Sequence, residues 1–177
     1  TFLEAALLAT GVISRMGKVE DGNTVSDYDK MEVERGYSIN TSVVPILWKE
    51  NKINFIDTPG YFDFVGEVNA ALRAAEAAVI MVDAGSGIQV GTEAAWKACE
   101  RYKTPRFIVI NKRDKDEFDF YKTFGELKDK FGEKLIPFSW PLSAEIDEEL
   151  KEALQNNILM INLESPAEML RLENIAK

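Results

Sequence analysis

The opening stretch TFLEAALLAT, residues 1–10, patterns as a helix with Glu4 in its first turn and Gly11 as its stop. From 12 to 40 the apolar periodicity vanishes, and Gly17, Gly22, Gly36 and a dense mix of charges predict one long loop. Loops beyond about 12–15 residues inside a compact domain are usually functional or disordered. Two strand-like runs come next, 41–48 and 52–56, joined by a hairpin-sized connection at 49–51. Residues 67–77 (EVNAALRAAEA) are Ala-rich and helical, and 78–82 (AVIMV) are wholly apolar, the mark of a strand buried on both faces. Beyond them lie a helix over 91–102, a second buried strand over 106–110 (RFIVI), an amphipathic helix over 118–131 and a short strand over 135–138.

The tail is less coherent. Residues 146–154 pattern as a charged helix, and Ser165-Pro166-Ala167-Glu168 is a good helix start. Between them, 155–163 has no clear period. There is no internal repeat and no low-complexity linker. Strands alternating with helices predict an α/β fold with a mainly parallel sheet and helices on both faces. Ligands in such folds bind at the carboxyl ends of strands, which directs attention to the residues after Ile56, Val82 and Ile110.

Composition narrows the chemistry. The 177 residues are about one domain's worth, and 46% apolar with 29% charged residues is ordinary for a packed globular chain. A formal charge of −9 argues against a generic nucleic-acid binder, so any RNA contact must use local patches or protein partners. The longest apolar run, 77–82, is far short of the ~20 residues that span a bilayer, so no membrane partner is expected. A single cysteine, Cys99, excludes an internal disulfide and fits a reducing cytoplasm. Histidine is absent, which removes Ser-His-Asp and Cys-His chemistry. Any metal must be held by oxygens, pointing towards magnesium.

Two short motifs end strands. Asp57, Thr58, Pro59 and Gly60 come directly after the strand NFI. A carboxylate there can bind a magnesium-bound water, and a glycine lets a backbone N–H approach a terminal phosphate. The same four residue types also make ordinary turns. Asn111, Lys112, Arg113 and Asp114 come directly after RFIVI. A carboxylate at a base edge can accept both N1–H and the 2-amino group of guanine, a donor pair that adenine lacks. Asn offers an amide to the purine N7, and a Lys stem can cover the base face. Read alone, the run is also a solvated charge cluster. Together, in order, with one β-α unit between them, the two motifs reinforce each other.

With VERGYSIN, FIDTPGYFDFVGEVNAALRAAEAAVIMVDAGSGIQVGTEAAWKACERYKTPRFIVINKRDKD, the chain resembles the GTPase domain of elongation factor G and its paralogues, closely to about residue 142 and weakly beyond. The resemblance implies a P-loop-NTPase-like three-layer sandwich. It divides the chain into a G-domain core, 1–142, and a helical tail, 143–177, holding remnants of an inserted subdomain and the end of the G domain. It implies GTP or GDP and Mg2+ as ligands, with Asp57–Gly60 opening switch II and Asn111–Asp114 reading guanine. Arg113 stands where Met is usual, facing away from the base. Ser38 matches the magnesium-binding Thr at the end of switch I, so 12–40 becomes that switch. Asp83-Ala84-Gly85-Ser86-Gly87 would pack near switch II without touching nucleotide.

Three departures from the family qualify this reading. The first strand and phosphate loop are missing, and the chain opens at Thr1, which the resemblance sets immediately after the magnesium-binding Thr and at the metal site. A chain truly lacking the loop is expected to hold GTP poorly. Tyr61 occupies the position of the usual water-orienting His, so hydrolysis is expected to be slow or differently stimulated. Ser143 and Ala144 either form the fifth GTPase motif, whose backbone amide contacts guanine O6, or begin a separate downstream helix, with junctions near 142 and 159. The implied function is GTP binding and hydrolysis in a monomeric, cytoplasmic translation factor acting on the ribosome and its RNA. The alternatives are a degenerate, nucleotide-free docking module and the G domain of a ribosomal protection factor.

Overall fold

The computed structural model describes residues 2–112, 120–132, 135–136, 139–140 and 160–161. The chain divides into two units, Thr1–Thr123 and Phe124–Lys177. In the first, α1 (Phe2–Ala9) buries Leu3 and Leu7, four residues apart and therefore on one helix face. They pack on Val44 and Ile46 of β1 (Ser42–Trp48), with Ile13 and Phe55 at the margin. Phe2 meets Phe55 edge-on at 6.3 Å. Gly11, at φ +72°, ends the helix in a left-handed conformation that costs glycine nothing.

β1 and β2 (Asn51–Asp57) form the expected hairpin, antiparallel from Ser42↔Asp57 to Trp48↔Asn51. The turn is two residues long, with Lys49 at φ 45° and Glu50 at φ 68°. Two left-handed residues match the right-handed twist of the flanking strands. Alternate β1 residues Ser42, Val44 and Ile46 face inward, which fixes the register.

After a 3-10 turn (Phe62–Phe64) come α3 (Val65–Ala74), β3 (Ala78–Asp83), α4 (Val90–Tyr102) and β4 (Arg106–Asn111). β3 and β4 are parallel, in register from Ala78↔Arg106 to Asp83↔Asn111, with α4 as the crossover. Leu72, Ile80 and Cys99 make their shared core, flanked by Trp96, Ala95 and Ile108.

Four expectations need correction. Neither β3 nor β4 is buried on both faces: Val79, Met81 and Phe107 are 43%, 40% and 52% exposed. A continuous apolar run identifies a strand, but the packing that covers each face comes from elsewhere in the chain. Among the described residues the strands pair as three two-stranded sheets, not as one. The loop 12–40 contains a short helix, α2 (Lys30–Arg35). Finally, 135–136 is not strand. The amphipathic α5 (Phe120–Phe131) buries Leu127, and in the second unit the strand pairing instead joins β5 (Ser139–Trp140) to β6 (Met160–Ile161) in parallel. Residues 137–138 and the expected tail helices at 146–154 and 165–168 lie outside the described residues.

Candidate functional site

Two buried carboxylates shape the long segment between α1 and β1. Glu4 is 2% exposed, and its two oxygens accept the backbone N–H groups of Gly17 and Val25, each at 2.7 Å. Gly17 is needed in that bend, because a Cβ there would run into the Asn23 backbone. Glu32 is 1% exposed. Its Oε1 accepts from Ile39 and Asn40, both at 2.9 Å, and its Oε2 accepts from Asp29 N–H at 3.3 Å. That last bond closes a capping box with Asp29, whose Oδ1 accepts from Met31 N–H, while Gly36 at φ 70° ends α2. The segment is thus pinned at both ends by charge-assisted hydrogen bonds.

The pinning delivers Ser38 to a polar cluster. Its hydroxyl donates to Asp27 Oδ1 at 2.6 Å. Next to Asp27, the Ser26 carbonyl accepts from the Ser42 hydroxyl at 2.7 Å, and both the Ser26 side chain and the Asp27 carboxylate act on the Asp57 carboxyl. Ser38 and Asp57 are therefore linked through the dipeptide Ser26-Asp27. Burial pushes the Asp57 carboxyl above its ordinary range, opposed by the Ser26 hydrogen bond and reinforced by the negative charge of Asp27. Oxygen-bearing side chains such as Ser38, Asp27 and Asp57 suit a hard divalent cation that keeps its remaining ligands from water and phosphate. Among the described residues no group of three His, Cys, Asp or Glu forms a dedicated metal cage.

Beyond Asp57, Pro59 is fully buried, and the space where a Gly60 Cβ would stand is open. Tyr61 is 56% exposed, with its ring against that of Tyr37. A second tie joins the same regions, since Thr41 N–H donates to Glu67 of α3 at 3.0 Å. The contact with Thr41 holds the Glu67 carboxyl below its usual range.

At the carboxyl ends of β3 and β4, Asp83 stands in register with Asn111, and Lys112 Nζ lies 2.9 Å from Asp83 Oδ2. The loop after β3 is therefore joined to the Asn111-Lys112 motif, a connection that no local sequence pattern signals.

The profile of the elongation factor Tu GTP binding domain matches residues 1–169. The chain belongs to that family. Elongation factor G of Granulibacter bethesdensis is 43% identical over 145 residues, which cover 82% of this chain and 21% of that protein. Elongation factor G of Gluconobacter oxydans is 41% identical over the same length and coverage. Elongation factor G 2 of Borreliella burgdorferi is 40% identical over 137 residues, 77% of this chain and 20% of that protein. A crystal structure of a Thermus thermophilus protein superposes with a TM-score of 0.75 at 40% identity, covering 79% of this chain and 21% of that one. The chain thus spans about a fifth of the length of the relatives it matches.

This GTP-binding domain has the P-loop NTPase fold, an α/β architecture. It brings together Ser38 and Asp57 in one cluster, and Asn111 and Lys112 at a strand end shared with Asp83. Thr1, Arg113, Asp114, Ser143 and Ala144 lie outside the described residues. Sequence reasoning missed Asp27 and Tyr37, and it took Asp83 as part of a structural loop near switch II rather than as a partner of Lys112. Asp83 was the most accessible of the three, because it ends an apolar strand in the way that Asp57 and Asn111 end theirs.

Proposed function

We propose that this chain is the GTP-binding and GTP-hydrolysing domain of a ribosome-associated, translocation-type elongation factor, monomeric and cytoplasmic. The observation that carries the reading is the link from Ser38 through Ser26-Asp27 to Asp57. Two residues nineteen positions apart, one on a long pinned loop and one at a strand end, share a cluster of oxygens. That is the arrangement needed for a loop that responds to a phosphate and its cation.

In this reading Asp57, Ser38 and Thr1 would hold Mg2+, which when bound neutralises phosphate charge. Thr58, Pro59 and Gly60 carry the chain past the terminal phosphate, and Gly60 presents its N–H without a Cβ in the way. Tyr61 stands next to the attacking water. Asn111 and Asp114 read the purine edge, Lys112 covers its face, Arg113 turns away, and the Ser143–Ala144 backbone meets guanine O6. A carboxylate left unmatched by adenine accounts for guanine selectivity. Hydrolysis of this kind is mostly positioning and electrostatics, so ribosomal proteins and RNA that order the two switch segments would set the rate.

The test is equilibrium titration of the full-length protein with a fluorescent GDP, with and without Mg2+, and with GTP and ATP as competitors. Saturable binding displaced by GTP and not by ATP is expected, and no saturable binding overturns the proposal. Asp114→Asn should move preference towards xanthine nucleotides, which carry a carbonyl where guanine has its amine. Unchanged selectivity would remove Asp114 from the base site.

A further inference from the structure

One carboxylate organises the loops after both parallel strands. Asp83 is the last residue of β3, opposite Asn111, and the next N–H, that of Ala84, donates to the Asn111 carbonyl at 2.8 Å. Its Oδ1 accepts from Gly85 and Ser86 N–H at 3.0 and 3.2 Å, and its backbone carbonyl accepts from Gly87 N–H at 2.9 Å. Oδ2 faces Lys112, whose ammonium sits 2.9 Å away. The hydrogen bond from Lys112, reinforced by the two loop N–H groups, holds the Asp83 carboxyl down to about 2, so it is ionised throughout the neutral range.

Lys112 has its own peculiarity. Its backbone is left-handed, at φ 61°, a conformation that a glycine would adopt without strain. What the position gains from lysine therefore lies in the side chain. A lysine stem has four rotatable bonds, and a ligand that has to immobilise it loses affinity to that ordering. A fixed anion at the far end removes much of the loss before the ligand arrives.

We propose that Asp83 is a positioning residue of the base pocket, holding Lys112 so that its aliphatic stem is already set against the purine face when nucleotide binds. This rests on the reading of Asn111–Asp114 as the guanine motif. Asp83 touches no nucleotide atom in this scheme and acts only through Lys112.

The experiment is stopped-flow release of fluorescent GDP from the full-length protein, comparing wild type with Asp83→Asn, Lys112→Met and the double variant. The pair is partly exposed, so Asp83→Asn is expected to speed release by about three- to fivefold. In the Lys112→Met background the same change should have no further effect. Asp83→Glu keeps a carboxylate within reach of Lys112 and should release GDP within about twofold of wild type. It also serves should the Asn variant fold poorly. Release at the wild-type rate from Asp83→Asn overturns the proposal. So does an Asp83→Asn effect that persists undiminished without Lys112, because the carboxylate would then act through its own loop alone. A wild-type protein that binds no guanine nucleotide fails the functional reading and this proposal together, whereas normal binding with no Asp83 effect fails this proposal alone.

Discussion

The ring of Tyr61 lies against that of Tyr37, with centroids 4.5 Å apart and planes tilted by 46°. Arg35 Nη1 donates to the Tyr37 hydroxyl at 3.2 Å, so the residue after Gly60 is tied to the segment that carries Ser38. Aromatic pairs contribute about 0.5–1.5 kcal/mol beyond their area. Tyr37→Ala and Tyr61→Ala should each destabilise the protein, and the double variant should lose less than the sum, with a coupling of about 0.5–1.5 kcal/mol. Tyr61→Phe keeps the ring and should behave as wild type. Urea denaturation of the four proteins measures the coupling, and additive losses would mean that the contact contributes nothing.

The same position makes a separate prediction about hydrolysis. The chain has no histidine and therefore no imidazole, whose ordinary pKa is about 6.5. Tyr61→His places such a group where the attacking water is proposed to stand. The variant should acquire a limb near pH ~6.5 in its hydrolysis profile, and wild type should lack it. A pH–rate series from 5.5 to 8.5, on the order of one group's titration range, makes the comparison. Identical profiles would place Tyr61 away from the reacting water.

Glu4 and Glu32 look alike in burial but should respond differently to the same change. Glu4 uses one oxygen for Gly17 and the other for Val25, so Glu4→Gln turns an amide NH2 towards one of those N–H groups. Glu32 uses Oε1 for both Ile39 and Asn40, so Glu32→Gln can keep both on its carbonyl and lose only Asp29. A buried N–H left facing a donor costs about 1–3 kcal/mol. Hydrogen exchange should therefore quicken sharply at Gly17 or Val25 in Glu4→Gln, and at Asp29 alone in Glu32→Gln. Fast exchange at Ile39 and Asn40 in the latter would contradict the shared-oxygen geometry.

Much of this was legible from local pattern. The β1–β2 hairpin arises from two alternating runs and a short polar break, and Asp57 and Asn111 were placed at strand ends by the apolar runs before them. The α2 helix was missed because KMEVER has no apolar period, although Asp29, Glu32 and Gly36 spell out its cap and its stop. Glu4 was read as a helix-dipole residue, whereas its position on the same face as Leu3 and Leu7 buries it under the following loop. Contacts between loops, such as Tyr37 with Tyr61, have no period at all. They depend on where two distant backbones meet, which no window of sequence contains.

Asp83 also determines how the protein should respond to acid. Its carboxyl is held down to about 2 by the Lys112 hydrogen bond and the Ser86 and Gly85 N–H groups, against an ordinary value of 3.8. In the unfolded chain the carboxylate takes up its proton near pH ~3.9, so between there and the folded value the unfolded state binds more protons. Asp83 thus contributes stability that is fully present above about pH 4 and lost as pH falls towards 2. Asp83→Asn cannot titrate, so its urea midpoint should fall less steeply than wild type across that interval, the two differing most at neutral pH. The Lys112 side chain is 57% exposed, so salt screens the pair, and the difference should narrow at ~1 M NaCl. Parallel acid limbs for the two proteins would mean that the carboxylate and the ammonium do not meet in solution.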